Sequence, residues 1–188
     1  VIFVVVTYLP IIKLIGMKIS DYLKGAFEPW LIAFTTCSSA AALAVNLEAS
    51  RKMGASKAIA SFAIPLGNTI NMNGTSIYMG VTAVFAAEVF GIDLTLTQQF
   101  QIVLMGVLAA VGTAGVPGAG LIMTTLVFTE VGIPLEAVAL IAGIDRILDM
   151  IRTSVNVLGD SLTALVVSKS EGVLGTEPMD QDTVVKEV

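Results

Sequence analysis

The stretch GIDRILDMIRTSVNVLGD, residues 143–160, places three aspartates and two arginines inside a long apolar region of the chain. At about 100° per residue on an α-helix, its polar residues share a sector roughly 80° wide. They are Asp145, Asp149, Arg152, Asn156 and Asp160. Ionisable groups in a membrane span face a protein interior or an aqueous cavity and mark a substrate or ion pathway. The stretch therefore predicts a helix with one polar stripe, in a protein that moves a charged solute across a membrane.

The composition indicates a membrane setting. The 188 residues are 55% hydrophobic and 13% charged, with a mean hydropathy of +0.89, whereas soluble domains contain about 25% charged residues. The sequence opens inside an apolar run without a methionine, and we expect it to be a piece of a longer protein. One cysteine, Cys37, excludes an internal disulfide framework, and the absence of histidine removes a common metal ligand. A net charge of −5 offers no basic surface to nucleic acid.

Charge-free runs mark the candidate membrane spans. Residues 29–47, 58–87 and 94–129 contain no charged residue, and a transmembrane helix needs about 20 predominantly apolar residues. Two of these runs are interrupted, by TTCSSAA at 35–41 and by GTAGVPGAG at 112–120, which leaves halves too short to cross. Such a break predicts a re-entrant hairpin whose freed backbone lines a cavity or lies within protein.

The distribution of lysine and arginine predicts the orientation of these segments. Basic residues flank the first broken run on both sides, and none lies between Lys57 and Arg146. The positive-inside rule therefore places hairpin one on the cytoplasmic face and hairpin two on the outer face, as in an alternating-access transporter. The predicted all-α membrane protein has a helix end at 1–12 and a transport core at 13–168. The core comprises hairpin one at about 18–54, a broken helix at 57–90, hairpin two at 96–131 and a final helix at 134–168. Residues 169–188 lack periodicity and are predicted to form a disordered cytoplasmic tail.

The broken helix contains the uncharged segment PLGNTINMNGTSIYMG at 65–80, which is rich in glycine, asparagine and threonine. This composition disfavours a continuous helix and predicts an unwound middle. Carbonyl oxygens released from such a break, together with amide and hydroxyl side chains, suit an alkali cation.

These segments resemble those of the dicarboxylate and amino acid:cation symporters, a family that includes glutamate and aspartate transporters. The resemblance covers nearly the whole chain and rests on the signatures TTCSSAAAL, NTINMNGT, GTAGVPGAG and D-x3-D-x2-RT-x2-N-x3-D in this order. It implies the C-terminal transport half of such a protein, with the hairpins as inner and outer gates. It also implies a multi-pass protein of the plasma membrane, for a prokaryote the inner membrane, and a homotrimer formed through N-terminal helices outside this segment.

The resemblance implies a site for an acidic amino acid. Arg152 is expected to bind the side-chain carboxylate, for which a planar guanidinium is well suited, and Asp149 the α-amino group. Further substrate contacts are implied for three side chains and for backbone groups at the two hairpin tips, namely Thr75, Thr153, Asn156, Ser39, Val116 and Gly120. The alternative for Arg152 is a structural ion pair with Asp149, one helical turn back.

The resemblance also implies coupled Na+ or H+ ions and no cofactor. Asp160 is the expected cation ligand, and its alternative is a solvated aspartate near the end of the helix. Backbone oxygens are expected to complete this site, from Gly67, Asn71 and Asn156. A second sodium site is implied by position alone, with backbone groups around Thr69 on one side and at Ala110, Val111 and Thr113 on the other.

Two departures from the family pattern bear on function. Asn73 stands where the family usually has aspartate, in NMDGT, and the lost anion is expected to weaken one sodium site, which favours proton coupling or fewer sodium ions. Cys37 occupies a tip position where some prokaryotic relatives carry arginine, and it is expected to be a small gate residue rather than a reactive thiol. Arg146, beside the polar stripe, either replaces that arginine in screening the acids of the pocket or pairs locally with Asp145 or Asp149.

Two other functions fit parts of the sequence. Asp145 and Asp149, four residues apart on a helix, suit Mg²⁺ in a membrane-embedded transferase. Against this reading, Arg152 lies on the same stripe, and the sequence has no basic cytoplasmic cluster that would bind a diphosphate. A channel is the other alternative, but gate-like hairpins at both faces favour occlusion. The sequence therefore predicts cation-driven symport of glutamate or aspartate by a protein that is not an enzyme.

Overall fold

In a computed structural model, which describes residues 1–177, all regular elements are helices. A π-helical turn at Val4–Tyr8 opens the chain. The α-helices that follow are α1 (Leu9–Leu14), α2 (Ile19–Gly25), α3 (Phe27–Thr36), α4 (Ser39–Lys52), α5 (Lys57–Ile70), α6 (Asn73–Val89), α7 (Leu96–Val111), α8 (Ala119–Val131), α9 (Glu136–Ala142) and α10 (Asp145–Ser170). The all-α class predicted from the sequence is confirmed over these residues.

Residues 1–177 include no helix that is both long and apolar enough to cross a membrane. The membrane spans and the re-entrant character of the two hairpins stay predictions.

Short turns join α3 to α4 and α7 to α8. In the first turn Cys37 has a left-handed backbone, with φ 56°, and Ser38 caps α4 by accepting a hydrogen bond from the amide of Ala41 at 3.1 Å. The second turn, residues 112–118, ends at Gly118, whose φ of 77° is also left-handed. A left-handed residue commonly ends a helix, and a serine cap commonly begins one. Together they allow two helices to be joined by only a few residues. We call residues 37–38 tip one and residues 112–118 tip two.

The break between α5 and α6 is confined to Asn71 and Met72, whose ψ angles of 57° and 51° are not helical. On the α6 side, the amide of Gly74 donates to Oδ1 of Asn156 on α10 at 2.7 Å. A side chain of another helix thereby accepts from an amide that an unbroken helix would satisfy internally. The broken helix is therefore held open by α10.

Helix α10 lies at the centre of the fold, where it packs against α3, α4, α5 and α6. One apolar cluster joins α6, α7, α8 and α9, and its largest fully buried side chains include Met79, Phe128 and Ile141. Another surrounds the second half of α10 and includes Tyr22 and Leu165. The polar stripe of α10 is consequently enclosed by neighbouring helices.

The final helical region is interrupted at Gly143 and Ile144, between α9 and α10, and α10 continues to Ser170. Residues 171–177 then turn back, because the amide of Gly175 donates to the carbonyl of Gly54 at 2.8 Å and Leu174 packs against the second apolar cluster. The tail predicted at 169–188 thus begins inside α10, and its residues 171–177 contact other segments. The disorder of the tail stays a prediction, and residues 178–188 lie outside the described residues.

Candidate functional site

Arg152 lies in the middle of the polar stripe and is only 5% exposed. Its Nη2 donates to Oδ1 of Asp149 at 2.6 Å, because the two residues are one turn apart on α10, and Thr153 donates to the same oxygen at 2.7 Å. The ion pair considered as an alternative is therefore present. It does not engage the whole guanidinium, since Nη1 is buried and has no hydrogen-bond partner within residues 1–177. A buried charged N–H without an acceptor is costly and suits an anionic group.

Two further neighbours position the guanidinium of Arg152. The ring of Tyr78 on α6 has its centroid 4.7 Å from Cζ of Arg152, within the range of a cation–π interaction. The hydroxyl of Tyr78 in turn donates to Oδ1 of Asp145 at 2.7 Å. On α8, Gly120 lies so close that a Cβ there would collide with Nη1. The absence of a side chain at Gly120 therefore lets the guanidinium approach the backbone of α8.

The two tips meet each other and α10 beside this cluster. The hydroxyl of Ser38 in tip one donates to the carbonyl of Gly115 in tip two at 2.8 Å. The amide of Gly118, also in tip two, donates to Oδ2 of Asp149 at 2.8 Å. Asp149 thus connects Arg152 to tip two through its two carboxylate oxygens. A ligand that changed the bonding of Asp149 would also change the attachment of this tip.

The structure brings most of the predicted substrate contacts to this region. Asn156 donates through Nδ2 to the hydroxyl of Thr75 at 3.1 Å, and both residues are buried. Ser39 is buried directly after tip one. Val116 differs, because its side chain is 49% exposed and its amide donates to the carbonyl of Ala114, within tip two, at 2.8 Å.

Asp160 is the second buried acid of the stripe, with 2% of its surface exposed, which excludes a solvated aspartate. Its Oδ1 accepts a hydrogen bond from Nδ2 of Asn71 at 3.0 Å. A Cβ on Gly67 would come within 2.5 Å of the same oxygen, so the backbone of α5 lies directly against the carboxylate. Within residues 1–177, no lysine or arginine forms an ion pair with Asp160. Its negative charge is therefore met by a neutral amide alone.

A row of polar side chains leads from the first helical turn to Asp160. Nδ2 of Asn73 donates to Oδ1 of Asn71 at 2.7 Å and to the hydroxyl of Tyr8 at 3.1 Å. Tyr8 is buried, and its hydroxyl donates to the carbonyl of Val155 at 3.3 Å. We call Tyr8, Asn73 and Asn71 the amide row. Asn73, the departure from the family pattern, lies in the middle of it.

The groups predicted for a second cation site are engaged locally. The hydroxyl of Thr69 donates to the carbonyl of Leu66 at 2.8 Å, and Thr69 is exposed. The carbonyl of Ala110 accepts the amide of Thr113 at 3.0 Å. Val111 is exposed as well. This site stays a prediction that rests on position alone.

Arg146 lies outside the cluster and has a partner that neither alternative anticipated. It is exposed, and its Nη2 donates to the carbonyl of Thr35 at 3.0 Å. The last carbonyls of a helix such as α3 lack intrahelical partners and attract cations. Cys37 is buried in tip one, with Sγ 3.8 Å from the carbonyl of Arg146. Within the described residues, no group of three or more acidic, cysteine or histidine side chains is arranged to hold a metal ion.

Sequence reasoning missed three contributors to the site: Tyr78, Gly118 and Tyr8. Tyr78 follows Thr75 by one turn of α6 and therefore shares its face, which was a usable signal. Gly118 and Tyr8 carried no such signal. Their contacts with Asp149 and Asn73 depend on how distant segments pack.

Comparison with known proteins places the chain among transporters. Residues 1–170 match the sequence model described as the sodium:dicarboxylate symporter family. The chain is 40% identical over 177 residues to a proton/sodium-glutamate symport protein of Geobacillus stearothermophilus, which covers 94% of this chain and 42% of that protein. It is 38% identical over 159 residues to the proton/glutamate-aspartate symporter of Escherichia coli, covering 85% and 36%. It is 39% identical over 170 residues to the excitatory amino acid transporter 2 of Homo sapiens, covering 87% and 30%. The chain thus spans about two fifths of the length of the bacterial relatives.

Proposed function

The chain belongs to the sodium:dicarboxylate symporter family, and on that premise we propose that it forms the substrate- and cation-binding part of a symporter for acidic amino acids. The family predicted from the sequence is confirmed, and it is a family of transporters rather than enzymes. The observation that carries the proposal is the buried Arg152, which pairs with Asp149 beside the meeting tips and has one guanidinium nitrogen without an acceptor among residues 1–177.

An acidic amino acid matches the charges of this cluster. Its side-chain carboxylate accepts from Nη1 of Arg152, the nitrogen that lacks a partner. Its α-amino group binds Asp149, in competition with the amide of Gly118. The α-carboxylate requires further donors, and the side chains of Thr75 and Asn156 together with backbone amides at the tips are suited to supply them. A neutral amino acid lacks the side-chain carboxylate and leaves Nη1 unsatisfied, which selects against it.

Asp160 is proposed to hold the coupled Na+ or H+ ion. A buried carboxylate that meets only a neutral donor is costly to keep ionised in a medium of low dielectric constant. Binding a monovalent cation or a proton removes that cost. The carbonyl oxygens near Gly67, Asn71 and Asn156 are proposed as further ligands of a sodium ion, and no cofactor is required. Because an acidic amino acid carries a net negative charge, coupled cations also compensate the charge of the substrate.

The two tips are proposed to act as gates. In this mechanism α3 and α4 enter the membrane from the cytoplasm, α7 and α8 enter from outside, and the site between the tips is exposed to one side at a time. Opening at tip two requires the contacts Ser38–Gly115 and Gly118–Asp149 to break. Because Asp149 takes part in both substrate binding and tip attachment, substrate binding and gate position are coupled. We further propose a plasma-membrane location and a homotrimer formed through segments outside these residues.

Uptake measurements on the full-length protein containing this segment test the proposal. Proteoliposomes are loaded so that either a sodium gradient or a pH gradient points inward, and the uptake of radiolabelled aspartate and glutamate is measured. Either gradient is expected to accelerate uptake of at least one of the two amino acids. An uptake rate that depends on neither gradient, or no uptake of either amino acid, would contradict the proposal. Magnesium-dependent turnover of a lipid diphosphate would support a transferase instead.

A further inference from the structure

We propose that Asn73 is a positioning residue that sets the orientation of the Asn71 amide and thereby lowers the affinity of Asp160 for a monovalent cation. The inference rests on the proposed function only in taking Asp160 as a cation ligand. Its geometry is the amide row, in which Asn73 contacts Tyr8 and Asn71, and Asn71 contacts Asp160.

The two ends of the row fix the direction of its hydrogen bonds. At one end the carbonyl of Val155 can only accept, so the hydroxyl of Tyr8 donates to it at 3.3 Å. The oxygen of Tyr8 is then available as an acceptor for Nδ2 of Asn73 at 3.1 Å. At the other end the ionised carboxylate of Asp160 can only accept, and it receives Nδ2 of Asn71 at 3.0 Å.

Between these ends, the NH2 group of Asn73 decides which way the amide of Asn71 points. A side-chain amide has one donor end and one acceptor end. Nδ2 of Asn73 donates to Oδ1 of Asn71 at 2.7 Å, so the acceptor end of Asn71 faces Asn73 and its donor end faces Asp160. Rotating the side-chain amide of Asn71 by a half turn would place its NH2 group against the NH2 group of Asn73. It would also place its oxygen against the carboxylate of Asp160. Asn73 therefore holds the donor end of Asn71 on the carboxylate.

This orientation opposes cation binding at Asp160. Alkali cations are bound by oxygen atoms, and an N–H group directed at the carboxylate both occupies it and repels a cation. A cation that takes Oδ1 of Asp160 must displace the amide of Asn71, and that amide cannot turn its oxygen inward without losing its bond to Asn73. Because hydrogen bonds to charged groups are among the stronger ones, we expect a reduction in cation affinity on the order of tenfold.

Aspartate at position 73 would release this constraint. A carboxylate has no donor to hold the oxygen of Asn71, so Asn71 can direct its NH2 group to residue 73 and its oxygen to a cation at Asp160. The two oxygens would then face a cation together. The difference between asparagine and aspartate at this position is therefore a change in the direction of a neighbouring amide as well as the loss of a negative charge.

The substitution Asn73→Ala separates these two effects. If only the lost charge matters, alanine and asparagine are equivalent, because both are neutral. If Asn73 orients Asn71, alanine releases the amide of Asn71 and raises sodium affinity above that of the wild type. Tyr8→Phe is a second, shape-conserving variant, since it removes the acceptor that holds Nδ2 of Asn73. Ser76→Ala is a matched control on α6, because the hydroxyl of Ser76 donates to the carbonyl of Met72 and is not part of the amide row.

The experiment measures the sodium-dependent increase in Tm of the purified full-length protein without amino acid, at constant ionic strength with choline as the replacement cation. We expect half-saturation to fall severalfold for Asn73→Ala, by about tenfold for Asn73→Asp, slightly for Tyr8→Phe, and not at all for Ser76→Ala. Half-saturation in Asn73→Ala that equals or exceeds the wild-type value overturns the inference, as does the absence of a sodium response in every variant. If Asn73→Ala fails to fold, Tyr8→Phe decides the test: a half-saturating sodium concentration that does not decrease in Tyr8→Phe overturns the inference. Uptake of acidic amino acids is measured separately. The proposed function can therefore stand when this inference fails, and the inference can stand when the proposed function fails.

Discussion

Asp149 and Asp160 lie on the same stripe of α10 and are equally buried, yet the fold surrounds them differently. Asp149 meets the guanidinium of Arg152 at 2.6 Å and the amide of Gly118 at 2.8 Å. Within the part of the chain that the structure describes, the carboxylate of Asp160 accepts a side-chain hydrogen bond from the neutral amide of Asn71 alone. A compensated pair can exchange partners with a ligand that carries both charges, whereas a lone buried acid is stabilised by a cation. This difference supports the proposal that the amino acid binds at the first acid and the coupled ion at the second.

The neighbours of each acid explain the difference. Tip two reaches Asp149 through the backbone amide of Gly118, and Gly120 on α8 leaves room for the guanidinium of Arg152. Asp160 instead faces the break between α5 and α6, where the side-chain amide of Asn71 donates to its carboxylate. Substitutions on each side can therefore test whether the two regions are functionally separate.

The largest effect is expected for Arg152→Ala. The substitution removes the guanidinium that contacts Asp149, and uptake of aspartate is expected to fall by about thirtyfold or more, since losing one partner of a buried charged pair costs about 2–5 kcal/mol. Competition by unlabelled neutral and acidic amino acids measures the accompanying change in selectivity. Arg146→Ala is the matched control, because that arginine is exposed on the same helix. Unchanged aspartate uptake by Arg152→Ala would contradict the assignment of the substrate site.

The next largest effect is expected for Asp160→Asn, and it is expected in the ion dependence. Half-saturating sodium for uptake should rise by about tenfold or more, because the anionic ligand is lost. In sodium-free buffer Tm should increase, since a buried charge without an opposite charge has been removed. Uptake across a sodium series and thermal unfolding with and without sodium measure the two effects. If sodium dependence stays at the wild-type value, Asp160 is not the cation ligand.

A smaller effect on the Arg152 side is expected for Gly120→Ala. The added methyl group would occupy the space of Nη1, so the guanidinium must move away from α8. KM for aspartate is expected to rise by about tenfold, in line with the loss of one charged hydrogen bond, while half-saturating sodium stays near the wild-type value. Gly112→Ala is a control in tip two, because a Cβ there meets no atom closer than 3.8 Å. A shift in sodium dependence with KM unchanged would mean that the two regions are not separate.

The smallest effect is expected for Tyr78→Phe, compared with Tyr78→Leu. Phenylalanine keeps the ring beside Arg152 and loses the hydrogen bond to Asp145, whereas leucine loses both. KM for aspartate should rise by about threefold or less in Tyr78→Phe, which keeps the ring beside Arg152. The rise should be larger in Tyr78→Leu, because a desolvated cation–π contact is worth about 2 kcal/mol. Initial rates over an aspartate series distinguish the two variants. Equal KM values in both variants would show that the ring does not position Arg152.

Much of the site could be predicted from residues within single segments. The stripe from Asp145 to Asp160 follows from helical periodicity, and the breaks at the tips follow from glycine, proline and serine, whose backbone preferences are local. The contacts of residues 171–177 could not be predicted, since they join this stretch to Gly54 and to an apolar cluster formed by other segments.

Arg146, beside the stripe, shows the same limit. Its position in the sequence favoured the neighbouring acids as partners, but a carbonyl at the end of α3 lies within reach, and that carbonyl is far away along the chain. Tyr8 is a comparable case, because its bond to Asn73 exists only where the opening turn packs against the broken helix.

The sequence by itself determined that this chain is helical, that the helices break at particular glycine- and serine-rich places, and that one helix carries its charges on a single side. These properties depend on residues that are neighbours along the chain. Only the tertiary structure decided which charge is compensated and which is not, because the groups that decide it, the amide of Gly118, the ring of Tyr78 and the amide of Asn71, come from other helices and tips. Burial and pairing are properties of the packed assembly of helices, so the same stripe contains both a charged pair and a lone acid.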